Sequence, residues 1–363
     1  MDIFHEILRT AIQGGASDVH LKIDHPVVFR IHRNLIAIEC PFPTEEWMRK
    51  VVHTIVPEHA RKKLEEEREV DFSYYAPHVG RFRTNLFQQK GEFCLAMRYV
   101  KTQIPSFEEL GLLPILRDIA ESPRGIVLVA GSTGCGKSTT LAAMIEHINA
   151  KSKKHIVTLE DPIEFVFDDN QCVIEQREVG LDTLSFEHGL KHILRQDPDI
   201  IMVGEMRDST SFSAAMSAAD TGHLVLSTLH TTNAAQSVGR ILDFFRADER
   251  EQIRRQLAGT LRAVVCQRMV NTIAGGMTPA LEIMINTSTV KKLLEENRLD
   301  KLGAAIETGT DDGMQNFNQA LFQLVKDRKV TEKEALLKAT NPQALEMNFK
   351  GIFLDEGRRI LGG

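Results

Sequence analysis

The chain has 363 residues, 42% apolar and 26% charged, with 44 Lys and Arg against 50 Asp and Glu and a net charge of −6. That acidic balance excludes a nucleic-acid binder held by non-specific charge, so no nucleic-acid partner is expected, and it excludes strong adhesion to an anionic membrane. The length predicts two domains rather than one.

The cysteines at 40, 94, 135, 172 and 266 form no CxxC pair and no zinc spacing, which predicts reduced thiols in a cytoplasmic protein. Residues 1–8 carry acids and no basic segment, and no apolar run approaches the roughly 20 residues that cross a bilayer. Neither a leader nor a membrane span is predicted, and membrane association is expected only through a partner.

In chain order, Ile3, Phe4, Ile7, Leu8 and Ile12 have helical spacing and are followed by Gly14-Gly15, as at a helix end. β-like runs follow at 18–23, 27–31, 34–38, 81–87 and 93–100, with a helix predicted over 44–69. This is a small α+β module. A break at Lys101-Thr-Gln-Ile-Pro-Ser leads into Ser106 and Glu109, which are spaced as a capping box for a new helix. The domains are therefore expected to be 1–103 and 104–363.

Beyond the break, strand-like runs at 126–129, 155–159, 200–203 and 224–228 alternate with helix-like runs at 137–149, 185–195 and 209–220. Such alternation predicts an α/β fold with a parallel sheet covered by helices. After residue 233 the pattern reads as mostly helical, with one strand over 280–285.

The segment Gly131-Ser132-Thr133-Gly134-Cys135-Gly136-Lys137-Ser138-Thr139 lies between the first of these strands and its helix. It is the pattern GxxxxGK[ST] in a strand–loop–helix setting. Glycines let backbone N–H groups turn in around phosphates, and the helix presents its positive end. Lys137 is expected to reach the β/γ-phosphates of ATP, and the Ser138 hydroxyl to bind Mg²⁺.

Two further strands run into acids. Glu160-Asp161-Pro162 ends the second, where a carboxylate can orient or deprotonate an attacking water, unless it is only a solvated acidic turn. Asp199 to Glu205 ends as a Walker B strand does, with Glu205 expected to hold the metal directly or through water. His223 and His230 flank the next apolar strand, placed to sense a phosphate or a neighbouring subunit, or simply to pack. Arg81 and Arg83 share one strand face and Arg98 lies on a later run; they read either as a solvated surface or as arginine fingers.

Taken together and in this order, these segments resemble the PilT/PilU family of type IV pilus retraction ATPases, within the type II/IV secretion ATPase group. The resemblance covers nearly the whole chain: Gly14-Gly-Ala-Ser-Asp-Val-His-Leu, Arg81-Phe-Arg, Ser106-Phe-Glu-Glu-Leu-Gly-Leu, the phosphate loop, His155 to Glu164, Gln176-Arg-Glu-Val-Gly, Leu194-Arg-Gln-Asp-Pro-Asp, the Walker B strand, Thr221-Gly-His and Gly313 to Phe322.

The resemblance implies a PAS-like N-terminal domain, a RecA-like P-loop ATPase domain with a helical C-terminal region, and a homohexamer that powers pilus retraction and twitching motility. It implies Glu160 as catalytic glutamate, Glu205 as Walker B acid, His223 and His230 as a His box, and Arg81, Arg83 and Arg98 as candidate fingers acting in trans. An inner-membrane platform protein of the PilC type, and a paralogous retraction ATPase, are implied as partners at the cytoplasmic face of the inner membrane.

One segment departs. Where PilT-type motors read Ala-Ile-Arg-Asn-Leu-Ile-Arg-Glu, this chain reads Thr289-Val-Lys-Lys-Leu-Leu-Glu-Glu, with Lys291 and Glu295 in the arginine positions. An accessory PilU-like role is therefore the alternative. A pilus-assembly or type II secretion ATPase is a further one, although such proteins carry longer N-terminal regions and a four-cysteine zinc module. A non-hydrolysing regulatory subunit is disfavoured by the presence of Glu160 and Glu205. The tail from Met347 to Glu356 extends past the usual PilT end, and its apolar residues are candidates for docking on the ring or a partner.

Overall fold

Phe4, Ile7, Leu8 and Ala11 recur at helical spacing, and they form the buried stripe of α1 (Asp2–Gln13) in the computed structural model, which describes residues 1–31, 34–100 and 102–352. The chain divides into two compact units, Met1–Gln103 with Pro162–Val166, and Ile104–Asp161 with Phe167–Gly363.

In the first unit, α1 is followed by β1 (Asp18–Lys22), β2 (Val27–Ile31), β3 (Asn34–Ile38), α2 (Glu45–Ile55), α3 (Glu58–Glu67), β4 (Glu69–Ala76), β5 (Gly80–Gln89) and β6 (Glu92–Tyr99). The described strands form an antiparallel six-stranded sheet in the order β3-β2-β1-β6-β5-β4. Its buried face, with Val19, Leu21, Phe29, Phe82, Leu86 and Met97, packs with Phe4, Leu8, Met48 and Val52 in one core.

The helix expected over 44–69 is two helices. Thr44 caps α2 by accepting the Trp47 N–H at 3.2 Å, and Pro57 ends the run because it forces Val56 into extended backbone (φ −73, ψ 117). Strand β4 was not expected, although Val70, Phe72 and Ala76 do alternate with exposed neighbours.

The second unit opens with α4 (Phe107–Leu110), where both hydrogen bonds of the Ser106/Glu109 capping box are present, and α5 (Ile115–Ala120). There follow β7 (Gly125–Ala130), α6 (Lys137–Lys151), β8 (His155–Glu160), β9 (Val173–Glu178), α7 (Phe186–Ile193), β10 (Ile200–Val203), α8 (Ser209–Asp220), β11 (Leu224–Leu229), α9 (Ala234–Asp243) and α10 (Arg250–Thr260). A hairpin of β12 (Leu261–Asn271) and β13 (Met277–Ile285) leads to α11 (Ser288–Glu295), α12 (Leu302–Thr308), α13 (Phe317–Lys326), α14 (Glu332–Lys338) and α15 (Pro342–Phe349).

The seven-stranded sheet runs β13-β12-β7-β11-β10-β8-β9, parallel except for β13. The fold is thus α/β with a mixed rather than purely parallel sheet. After residue 233 the chain is mostly helical, as expected, but β12 corrects the expectation of a single strand there. Its first half, Leu261 to Cys266, is buried except at Arg262, and the short apolar run Ala263 to Cys266, without alternation, does not distinguish a strand from a buried helix.

In the departing segment, Val290, Leu293 and Leu294 are the buried face of α11. Buried Arg254 donates to the Leu294 carbonyl at 2.5 Å and also to that of Glu295, offsetting the negative end of the helix. In the tail, Phe349 stacks on Phe322 at 5.8 Å, while Phe353 and Leu354 lie outside the described residues. Among the described residues no helix is long and apolar enough to cross a membrane.

Candidate active site

Strand β7 is buried throughout and lies between β12 and β11, so the loop after it opens at the carboxyl edge of the parallel strands, where open α/β sheets bind ligands. The loop depends on three positive-φ glycines: Gly131 (φ +152), Gly134 (φ +78) and Gly136 (φ +89). Gly136 starts α6, and Leu141, Met144, Ile145 and Ile148 bury that helix, fixing the direction of its amino end. Ser138 and Thr139 are in its first turn.

Lys137 is only 8% exposed, and its ammonium donates to the carbonyls of Gly131 (3.1 Å) and Ser132 (3.2 Å). A cation is thereby held inside the loop. Beside the loop is a cavity of about 410 Å³ lined by Gly131 to Cys135 together with Arg268, Met269, Asn271 and Lys338.

The other carboxyl ends share this edge. Leu159 and Ser227 both pair with Val203, and Leu229 pairs with Ala130, so the residues that follow these positions emerge side by side. Glu160, at the end of β8, is 6% exposed and accepts from Thr158 Oγ1 at 2.7 Å and Gln176 Nε2 at 3.1 Å. Glu160 is therefore a held carboxylate, not a solvated acidic turn. Glu205 follows β10 and Gly204, pairs with Arg207, and lies 3.5 Å from His230 Nε2. Thr228 Oγ1 donates to the Gly204 carbonyl at 2.7 Å, tying the β10 and β11 ends together.

His223 does not join them. It precedes β11, with Nδ1 2.9 Å from the Ala218 carbonyl, and its own carbonyl accepts the Gly125 N–H at the start of β7. A six-residue strand separates it from His230, on the order of 20 Å. The two histidines therefore stand at opposite ends of β11, as the sequence places them, and only His230 is beside Glu205.

The candidate fingers lie on the first unit. Arg83 and Arg98 are directly opposite on β5 and β6, and Arg98 is opposite Asp18 on β1. Asp18 accepts from Arg98 Nε at 2.8 Å and lies 3.8 Å from Arg30. Burial pushes the Asp18 carboxyl up, but hydrogen bonds from Ser17 and Arg98 and the Arg98 charge outweigh it and hold the group below its ordinary value. Arg98 is thus a tethered arginine although exposed, and Arg83 is exposed as well. Arg81 shares their strand face and is half-buried.

Sequence reasoning missed Gln267 and Arg268, because β12 was read as helix. Gln267 bonds the phosphate loop, and Arg268 packs 3.7 Å over the Phe317 ring and donates to the Lys338 carbonyl and Thr340. It also missed Glu282, a buried carboxylate on β13 that accepts the first N–H of α9, from Ala234, at 2.8 Å. A strand reading of residues 261–271 would have pointed to the first two.

The family model for type II/IV secretion system proteins matches residues 1–337. The chain belongs to this family. Among its members, the type IV pilus retraction ATPase PilT of Pseudomonas aeruginosa is 40% identical over 343 residues, covering 94% of this chain and 99% of that protein. The type IV pilus ATPase PilU of the same organism is 38% identical over 348 residues, covering 96% and 91%. A crystal structure of the pilus retraction motor PilT with bound ADP superposes with a TM-score of 0.86 at 40% identity, over 94% of this chain and 98% of that one. The Legionella pneumophila ATPase DotB has the same fold at a TM-score of 0.81 and 26% identity, over 92% and 94%. Within the secretion-protein family, the similarity to pilus retraction ATPases thus extends over almost the entire length of both chains.

Proposed function

We propose that this chain is an ATPase that powers type IV pilus retraction. The observation that carries the reading is the phosphate loop, with Lys137 inside it, at the same sheet edge as the held carboxylates Glu160 and Glu205. Full-length similarity to PilT, a retraction ATPase, supplies the cellular process.

The backbone N–H groups of Ser132 to Ser138 bind the phosphates, and Lys137 reaches the β/γ-phosphates. Hard oxygen donors, the Ser138 hydroxyl and the Glu205 carboxylate, would hold Mg²⁺, which would supply neutralisation of charge at the phosphates. Glu160 orients the attacking water and accepts its proton; its bonds from Thr158 and Gln176 fix the carboxylate plane. His230 holds Glu205 from the neighbouring strand.

The first unit is a PAS-like domain and the second a RecA-like domain. Six copies form a ring in which Arg83, with Arg81 and the tethered Arg98, completes a neighbouring subunit's site. A finger of this kind contributes about 10³–10⁵ in rate, which makes turnover depend on ring closure. The ring works at the cytoplasmic face of the inner membrane on a PilC-like platform protein.

A second reading, an accessory PilU-like subunit beside a primary motor, is favoured by Lys291 and Glu295 on α11 and by the near-equal identities to PilT and PilU. Pilus retraction in cells lacking this chain separates the two. Lost retraction, restored by wild type and not by Glu205→Ala, supports the primary motor. Persisting retraction supports the accessory subunit.

A further inference from the structure

A loop that receives phosphate must turn its N–H groups toward the anion and its carbonyls away. One peptide unit of this loop is held from outside. Gln267 on β12, 4% exposed, donates from Nε2 to the Cys135 carbonyl at 2.5 Å, and its Oε1 accepts the Thr140 hydroxyl at 2.9 Å. A backbone carbonyl can only accept, so the amide nitrogen must be the end that faces Cys135.

In a trans peptide the C=O and the following N–H point in opposite directions. Tying the Cys135 carbonyl toward β12 therefore turns the Gly136 N–H away from β12, to the face of the loop left for the ligand. We propose that Gln267 is a positioning residue for phosphate binding, fixing the Gly136 N–H through the Cys135–Gly136 peptide. The inference rests on the nucleotide reading of the loop.

The amide and its strand lie close against the loop glycines. A Cβ on Gly136 would lie 3.0 Å from Gln267 Nε2, and one on Gly131 would lie 2.6 Å from the Gln267 carbonyl oxygen. The strand carrying it is braced on its other face, where Arg268 bonds the Lys338 carbonyl at 2.9 Å and Thr340 Oγ1 at 3.0 Å. Gln267 stands more than a hundred residues along the chain from the loop, which is why the loop motif alone does not include it.

The test is calorimetric titration of MgADP into the full-length wild type and Gln267→Leu, with thermal unfolding of each without nucleotide. Leucine keeps most of the volume but cannot donate to Cys135. The expected result is a Kd raised about tenfold or more. A residue that merely supports the fold would lower the melting temperature and leave Kd unchanged. Wild-type binding with an unchanged Kd in the variant overturns the role of Gln267; absence of wild-type binding overturns the nucleotide reading itself. Should Gln267→Leu not fold, Thr140→Val releases only the Oε1 end, with an expected rise in Kd of about two- to fivefold. An unchanged Kd there is equally contrary.

Discussion

Gly131 is where the phosphate loop and β12 come into tightest contact, and Gly131→Ala tests that contact quantitatively. An added Cβ would lie 2.5 Å from Cys135 Sγ and 2.6 Å from the Gln267 carbonyl oxygen, at φ +152. The cysteine can turn, but the carbonyl belongs to a strand laddered to β7 on one side and β13 on the other. Overpacking of this sort costs about 1–3 kcal/mol, and a backbone region foreign to alanine adds about 1–2 kcal/mol. The total of roughly 2–5 kcal/mol corresponds to a melting temperature lower by roughly 5–20 °C for a unit of this size.

Two other glycines separate these contributions. Gly134→Ala, at φ +78 with nothing within 4 Å, incurs only the backbone cost, about 1–2 kcal/mol. Gly239→Ala in α9, also with open space and no positive φ, should stabilise by about 0.5–1 kcal/mol through helix propensity. The assay is differential scanning calorimetry of the three variants without nucleotide. A Gly131→Ala protein that melts with or above Gly134→Ala would refute the claim that β12 abuts the loop.

Further outcomes follow from the charged groups. Asp18→Asn should destabilise by about 1 kcal/mol, since its arginine partners are partly exposed. The lost stabilisation is full above the ordinary Asp value of 3.8 and disappears as pH falls through the lower native value, so denaturation curves of variant and wild type should converge in acid. Glu282 behaves oppositely: burial raises its carboxyl above 4.5 despite the Ala234 N–H, so its contribution is most favourable below 4.5 and is lost as pH rises through the native value. Glu282→Gln, which keeps an acceptor for Ala234, should therefore be the more stable protein at neutral pH by urea denaturation. Arg83→Ala should slow ATP turnover by about 10³ while leaving nucleotide Kd within a few-fold; a loss confined to binding contradicts the finger role.

The site was legible wherever chemistry is written locally. The phosphate loop needs glycines and a lysine at fixed spacing beside a strand, and Glu160 and Glu205 each end an apolar run, so a linear reading finds them. What it lacked was the long-range pairing. Gln267 contacts the loop only because β12 joins the sheet next to β7, and the apolar run Ala263 to Cys266 gives no period to read. That His223 and His230 stand at opposite ends of β11 was legible; that His230 lies beside Glu205 needs the pairing of β10 with β11. Pro57 was a local signal that was outweighed by the helical composition on both sides of it.

Hydrolysis of ATP by this loop and its carboxylates is open to direct measurement. It is tested most directly by phosphate release from MgATP by the purified wild type and by Lys137→Ala, which removes the ammonium now held by Gly131 and Ser132. The wild type should turn over ATP, and the variant should release no phosphate above background. An inactive wild type, or a variant with near-normal turnover, would contradict it.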